Sequence, residues 1–289
     1  MAEIALAVGY TLFAWWFSTG VILFLDGLHP RTFPTTLRGA TLVLGAALWG
    51  LVHTRDDLSV AGAYCAFTCA LLVWAWQEIA FLLGVVTGPR RTALPAGATG
   101  WRRTGFALQA VLYHELALIV LAIAVFACVG SGENRVGIWT FLALWGMRQS
   151  AKLNVFLGVR NIGDNFLPPH LRYMASYFRR APMNPLFPVS VTLGTGAAVL
   201  VWWALIEGPA TPFEAAGLAL VGTMLALGAL EHWLLVLPLP TEALWKWGMK
   251  SHRADRPVGI TAGAPVAVVA APVAPIPPVT PVTPASKAG

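Results

Sequence analysis

The stretch "ALWGMRQSAKLNVFLGVRN", residues 143–161, begins and ends like a membrane span, but its middle is polar. It places two cations, Arg148 and Lys152, inside a chain that is 57% hydrophobic and only 11% charged. Soluble domains carry about 25% charged residues. The composition therefore indicates an integral membrane protein, and this stretch raises the question of why one of its spans holds two cations.

The apolar runs of the sequence predict its fold class. A membrane-spanning helix needs about 20 consecutive, mainly apolar residues. Seven runs approach or exceed this length: residues 5–25, 38–54, 60–86, 105–129, 136–157, 186–206 and 214–236. The second run is short, and the fifth contains the polar stretch. We therefore predict an all-α fold, a polytopic membrane helix bundle with seven transmembrane helices.

The loop charges predict the orientation of the bundle. Lys and Arg are retained in short cytoplasmic loops, and they are abundant after the first, third, fifth and seventh runs. This alternation predicts a periplasmic N-terminus and a cytoplasmic C-terminus. The first run lacks a basic flank and a cleavage site, so we expect an uncleaved anchor. The net charge of +6 fits contact with anionic membrane lipid, and no nucleic-acid partner is expected.

The composition also predicts two regions of different character. Residues 1–253 form the seven-helix transmembrane domain, whereas residues 254–289 are rich in Pro, Ala and Val and are expected to be a disordered cytoplasmic tail. Within the domain, residues 168–180 alternate apolar residues and arginines at helical spacing, which predicts an amphipathic interfacial helix. Asn184 and Pro185 have the residue types that begin a helix, so they predict the start of the sixth span.

Polar residues inside the predicted spans form the candidate site. Ionisable residues within a membrane are costly, and they mark either a function or mutual pairing. Counting 1.5 Å per helical residue from the predicted span ends places seven ionisable residues and one asparagine in the cytoplasmic leaflet. We predict that they form one intramembrane polar cluster, made of Glu78, His114, Glu115, Arg148, Lys152, Asn154, Glu231 and His232.

The first interpretation of this cluster is a charge-balanced network that fixes helix packing. Arg148 and Lys152 are one helical turn apart and share a helix face. Two inward-facing cations would supply most of the countercharge for the intramembrane carboxylates, and Arg148 is the expected partner of Glu115. Lys152 has an alternative, because its long side chain can extend to the headgroups.

Two further interpretations assign the cluster a ligand. Carboxylates and histidines are the residue types of a di-iron site, and the candidate metal ligands, for iron or manganese, are Glu78, His114, Glu115, Glu231 and His232. Both His–Glu pairs are adjacent in sequence, so each pair diverges by about 100° around its helix. Alternatively, a neutral histidine can ligate the magnesium of a chlorophyll-type pigment, and the 13 tryptophans offer flat apolar surfaces for its ring.

Several strings together resemble a known family, the photosynthetic complex assembly protein 2 (PuhE) family of phototrophic bacteria. The resemblance covers residues 8 to about 250 and omits the Pro-rich tail. The strings that carry it are "WWFSTGVILFLDGLHPRTFPTTLRG" (15–39), "YHELAL" (113–118), "LWGMRQSAKLNVFLGVRN" (144–161), "FLPPHLRYMASYF" (166–178), "NPLFPVSV" (184–191) and "LEHWLLVLPLPTEALWKWG" (230–248). Every predicted cluster residue except Glu78 lies within these strings.

The resemblance implies a role in assembling the photosynthetic reaction centre–core antenna complex, or in adjusting the supply of bacteriochlorophyll to it. It implies reaction-centre or core antenna subunits and pigment, either bacteriochlorophyll or a precursor, as partners. It also implies a multi-pass location in the bacterial inner (intracytoplasmic) membrane. We therefore expect a non-enzymatic assembly factor. The alternatives are a membrane-embedded, metal-dependent oxidoreductase acting on a pigment or lipid intermediate, and a transporter of a tetrapyrrole intermediate.

Overall fold

A computed structural model describes residues 2–239 and 241–251 of the chain. Seven long α-helices account for most of this part, and short 3-10 turns occupy several of the connections. The helices are α1 (Ala2–Asp26), α2 (Phe33–Thr54), α3 (Val60–Leu82), α4 (Gly100–Val129), α5 (Val136–Leu157), α6 (Leu186–Glu207) and α7 (Pro212–Leu234). The prediction of an all-α fold is confirmed.

Six of these helices are long and apolar enough to cross a membrane, counted over the described residues. The chain is therefore a multi-pass membrane protein. The exception is α5, whose 22 residues span about 33 Å at 1.5 Å per residue but include the polar stretch. Its length suffices for the hydrocarbon core, which is about 30 Å thick. That α5 crosses the membrane, and the orientation of the bundle, stay predictions.

Most helix boundaries lie within about two residues of the predicted runs, but α2 and α4 each begin five residues earlier than predicted, and the end of the third run was also wrong. That run was expected to reach residue 86, but α3 ends at Leu82. The reason is Gly84, whose φ of 75° lies in the left-handed region that glycine adopts without strain. The chain then turns onto α4, where Gly88 approaches the backbone of Ala110 so closely that a Cβ atom would overlap it.

The centre of the bundle is formed by α3 and α7. The most apolar windows of these helices are 50% and 61% buried, against 17% for α1 and α2. Small residues such as Ala63 and Ala70 in α3 and Ala219 in α7 are fully buried, and they let helix backbones approach closely. The large buried side chains Phe67 and Phe141 fill the space between. Helix α5 contacts both central helices; of its polar residues, Asn154 is fully buried, whereas the Arg148 side chain is 44% exposed.

At the predicted periplasmic end, one amide holds two loops together. The Nδ2 atom of Asn134 donates to the backbone carbonyls of Thr54, Asp57 and Gly62, each at 3.1 Å. Ser59 caps α3, since its Oγ atom accepts from the Gly62 backbone N–H at 3.0 Å. Hydrogen bonds from the Ser59 hydroxyl and backbone N–H also lower the pKa of Asp57.

At the opposite end, residues 169–177 form a 3-10 helix rather than the expected α-helix. Its buried residues Leu171, Met174 and Tyr177 are spaced by three, which places them on one face because a 3-10 helix has three residues per turn. His170 donates from Nε2 to the Leu82 carbonyl at 2.8 Å, since a carbonyl only accepts. Burial lowers the pKa of His170, although this hydrogen bond opposes the shift.

Two arginines connect this 3-10 helix to the bundle through hydrogen bonds. Arg103 donates to the carbonyls of Phe156 and Tyr177 at 2.6 and 2.7 Å, and its guanidinium lies 3.9 Å from the Phe156 ring centroid. Arg90 donates from Nε to the Tyr177 hydroxyl at 2.7 Å. Several of the cations that predict the orientation therefore also bind loops to helix ends.

The described chain ends by folding back on α1. Trp245 donates from Nε1 to the Trp16 carbonyl at 3.1 Å, and Trp16 donates to the Leu244 carbonyl at 2.9 Å. The Trp247 ring packs directly against Gly20, where a Cβ atom would overlap the indole. The predicted tail, residues 254–289, lies outside the described residues.

Candidate functional site

Two ion pairs connect α5 to neighbouring helices. Arg148 Nη2 lies 2.9 Å from Glu78 Oε2 on α3, and Lys152 Nζ lies 2.7 Å from Glu115 Oε1 on α4. Gln149 also donates to the second oxygen of Glu115. The expected partner of Glu115 was Arg148, and this pairing is wrong: the cation one turn further along α5 reaches α4. Lys152 is therefore engaged within the bundle, where it donates to Glu115 in a charge-assisted hydrogen bond.

His114 is held on three sides and is 1% exposed. Gln77 Nε2 donates to its Nδ1 atom at 2.7 Å and to its carbonyl at 3.2 Å, the backbone N–H donates to the Thr87 carbonyl at 2.9 Å, and the Phe81 ring centroid lies 4.6 Å away. Because Nδ1 accepts, the proton of the neutral ring is on Nε2. As arranged, His114 presents no free nitrogen lone pair to a metal.

His232 has the other tautomer. Its Nδ1 atom lies 2.8 Å from the Gly228 carbonyl, which can only accept, so Nδ1 carries the proton. The lone pair on Nε2 accepts from the Ser150 hydroxyl at 2.8 Å. This contact joins α7 to α5, and it occupies the nitrogen that a metal or pigment would need.

Asn154 connects α5 to the start of α6. Its Nδ2 atom donates to the Ser150 carbonyl and to Ser190 Oγ, both at 2.9 Å, while its Oδ1 atom accepts from Asn184 Nδ2 at 3.1 Å. Asn184 in turn accepts from the Leu186 backbone N–H through Oδ1 at 2.9 Å. The predicted role of Asn184 at the start of the sixth helix is present, and the same side chain also binds α5.

Glu231 stands at the edge of the cluster. Its Oε1 atom accepts from Trp15 Nε1 of α1 at 2.6 Å, and the side chain is exposed at the bundle surface. In the described part of the chain it forms no ion pair. The cluster thus holds three carboxylates against two cations, with Glu231 as the unpaired acid.

The predicted metal ligands do not form one ligand set. Within residues 2–239 and 241–251, no group of three or more His, Cys, Asp or Glu side chains could hold a metal ion. Both oxygens of Glu115 accept hydrogen bonds from α5, and both histidines use their Nδ1 atoms within the fold. The geometry is that of a hydrogen-bonded ion-pair network linking α3, α4, α5 and α7.

Several residues of the network were absent from the sequence prediction, namely Trp15, Gln77, Gln149, Ser150 and Ser190. All are uncharged, so the cost of burying a charge does not single them out. Two signals were nevertheless present in the sequence. Gln149 and Ser150 lie within the polar stretch of α5, and Gln77 directly precedes Glu78.

A helical bundle whose helices are joined by ion pairs defines the class: a polytopic membrane protein with a charged network between its helices. The chain belongs to the family described as "Protein of unknown function (DUF3623)", which matches residues 1–256. It is also 43% identical over 249 residues to the "Uncharacterized 30.4 kDa protein in puhA 5'region" of Rhodobacter capsulatus, covering 83% of this chain and 89% of the relative. No solved structure matches the chain. Membership of the PuhE family stays a prediction.

Proposed function

We propose that this protein is an assembly factor for the photosynthetic reaction centre–core antenna complex in the bacterial inner membrane. The observation that carries the proposal is the 43% identical relative, whose name places it in the puhA 5' region; this agrees with the resemblance of the sequence to the photosynthetic complex assembly family. The match covers 83% of this chain and 89% of the relative, so the two chains share far more than a single motif.

The polar network supports a scaffold role for the bundle. The two ion pairs and the His232–Ser150 hydrogen bond tie α5 to three other helices in the same half of the bundle. The Glu78 side chain is only 10% exposed, and leaving a buried charge without its partner is costly, so the network resists sliding of α5 against its neighbours. A bundle fixed in this way presents constant outer faces, and α1 and α2 have mostly unburied apolar windows available to partner subunits.

The geometry gives less support to the ligand-based interpretations. Ligation of a pigment magnesium through His114 Nε2 would require the Gln77 amide to rotate, so that its oxygen accepts a proton from Nδ1. Ligation through His232 would require breaking the hydrogen bond from Ser150. The oxidoreductase alternative would require at least three of the five candidate metal ligands to converge. If the protein acts in pigment supply, we propose that it does so as an assembly factor. We do not propose His114 or His232 as a ligand of the pigment.

The test is an in-frame deletion in the phototrophic host, followed by near-infrared absorption spectra of its membranes. We expect the bands of the assembled reaction centre and core antenna to fall, and to be restored by the wild-type gene supplied in trans. Unchanged bands in the deletion strain would refute the assembly role. Absorption of the purified protein gives an independent reading, because a bound bacteriochlorophyll or precursor would be visible directly.

A second experiment distinguishes between a structural ion-pair network and a ligand-binding site. Glu78→Gln and Arg148→Met should each reduce complementation, whereas the double variant should recover much of it, because it removes both charges of the pair. A ligand site would lose function in the double variant at least as completely as in either single variant. Protein levels in the membrane, measured by immunoblot, show whether each loss follows from instability.

A further inference from the structure

A groove of about 410 Å³ lies between α5 and α6 at the surface of the bundle. Its lining includes residues from both helices, among them Gly146, Ser150, Leu153, Val189, Ser190 and Leu193. Three of these, Leu153, Val189 and Leu193, are 53%, 52% and 69% exposed. No charged side chain lines the groove. It is therefore suited to a neutral, largely apolar occupant from the membrane.

The two serines give this groove a polar floor. The Ser150 hydroxyl donates to His232 Nε2 at 2.8 Å, so its proton is used. Ser190 Oγ, in contrast, accepts from Asn154 Nδ2 at 2.9 Å, and its own proton has no acceptor among the described residues. Ser190 is only 8% exposed. An unpaired buried donor costs free energy comparable to a lost hydrogen bond, so an occupant that brings an acceptor is favoured over one that does not.

We propose that this groove binds a long apolar chain that carries a carbonyl oxygen, and that this oxygen accepts a hydrogen bond from the Ser190 hydroxyl. The apolar walls bind the chain, and the hydroxyl selects the carbonyl. A plain hydrocarbon would fill the same space but would leave the donor unpaired. The volume lies within the range of about 300–1,000 Å³ typical of small-molecule sites. The proposal stands independently of the assembly role.

The chain offers matched variants for a test. A Cβ atom at Gly146 would meet nothing within 4 Å, so Gly146→Leu fills the groove without disturbing the helices. Gly196 is equally open but does not line the groove, which makes Gly196→Leu its control. Ser190→Ala removes the donor and changes the volume by a single oxygen atom.

The experiment uses the full chain in nanodiscs of ether-linked lipids, which contribute no ester carbonyls. Two photoreactive probes of equal length are compared: a palmitic acid methyl ester with a terminal diazirine, and the corresponding diazirine hydrocarbon. Crosslinked residues are located by mass spectrometry. We expect the ester to label groove residues more strongly than the hydrocarbon, and Gly146→Leu, but not Gly196→Leu, to abolish this labelling.

Ser190→Ala decides whether the carbonyl is recognised. We expect ester labelling to fall about fivefold, the loss that corresponds to one neutral hydrogen bond, while hydrocarbon labelling stays unchanged and thereby reports an intact groove. Equal labelling by both probes in the wild-type protein would overturn the proposal, because the groove would then hold only ordinary lipid chains. Labelling confined to other surfaces, or an equal loss in both glycine variants, would overturn it as well.

Discussion

Each charge of the network has a specific partner, and the partners determine what a substitution does. Glu115 receives hydrogen bonds from Lys152 and Gln149, whereas Glu78 receives one from Arg148. Removing one member of a buried ion pair leaves its partner uncompensated. Removing both members can be nearly neutral. The network is therefore best probed in pairs.

We expect Glu115→Gln to lower the free energy of unfolding by about 3 kcal/mol, the lower end of the range for breaking a buried pair. The partial exposure of Glu115 and Lys152, 23% and 28%, argues for this lower end. The double variant Glu115→Gln/Lys152→Met should regain most of the loss. Reversible unfolding in mixed detergent–SDS micelles measures both values. Equal rescue by Arg148→Met would show that the pairs are not specific.

The sequence predicts the location of these residues better than their contacts. Depth along a helix follows from counting residues, so the sequence suffices to place Arg148 and Lys152 beside acidic residues of α3 and α4. Which cation meets which acid depends on helix rotation and on the gap between α4 and α5. The tautomers of His114 and His232 depend on Gln77 and on the Gly228 carbonyl, and no pattern in the sequence indicates these contacts.

At the level of elements, α1 is held by a segment far away in the chain. Gly20 lies directly against Trp247, so Gly20→Ala should displace residues 241–251 from α1 because the new Cβ atom would overlap the indole. Gly9→Ala is the matched control, since a Cβ atom there meets nothing within 4 Å. We expect faster proteolysis after Lys250 in the first variant only. Equal cleavage of both variants would argue against the contact.

The 3-10 helix of residues 169–177 should respond to pH through His170. Burial lowers the pKa of this side chain in the folded state, so the detached segment binds a proton more readily than the packed one. Stability from this site is therefore present above pH 6.5, the unperturbed pKa, and is lost as pH falls toward the folded pKa. Amide exchange in residues 169–177, corrected for intrinsic rates, should be faster at pH 5 than at pH 7.5. His170→Gln should abolish the difference.

The element boundaries were largely predictable because membrane helices follow long apolar runs. The 136–157 run coincides with α5 despite its charges, whereas the end of α3 was misjudged because the apolar run continues past Gly84 after the helix has ended. Residues 169–177 have a mixed pattern that fits either helix type. Only packing against α4 and the neighbouring loops decides for the tighter 3-10 form.

For the whole molecule, the prediction of seven spans depends on α5. In a background lacking Cys65, Cys69 and Cys128, we expect Glu133→Cys to react with a membrane-impermeant maleimide from the periplasmic side. Ser176→Cys should react only after the cells are lysed, because the two positions lie at opposite ends of α5. Labelling of both positions from the same side would show that α5 does not cross the membrane. A fusion reporter at residue 251 would give an independent reading of the orientation.

The contact between α1 and residues 241–251 has a consequence for how the protein folds during its synthesis. Chains are made from the N-terminus, so α1 leaves the ribosome first, while its partners α7 and residues 241–251 are made after the other helices. During synthesis of the intervening five helices, α1 can pack only part of its surface, for example where the Tyr10 hydroxyl forms a hydrogen bond with Thr68 of α3. Completion of the bundle around α1 is thus postponed until α7 and residues 241–251 have been made, and a truncated product would leave part of α1 exposed to quality-control proteases.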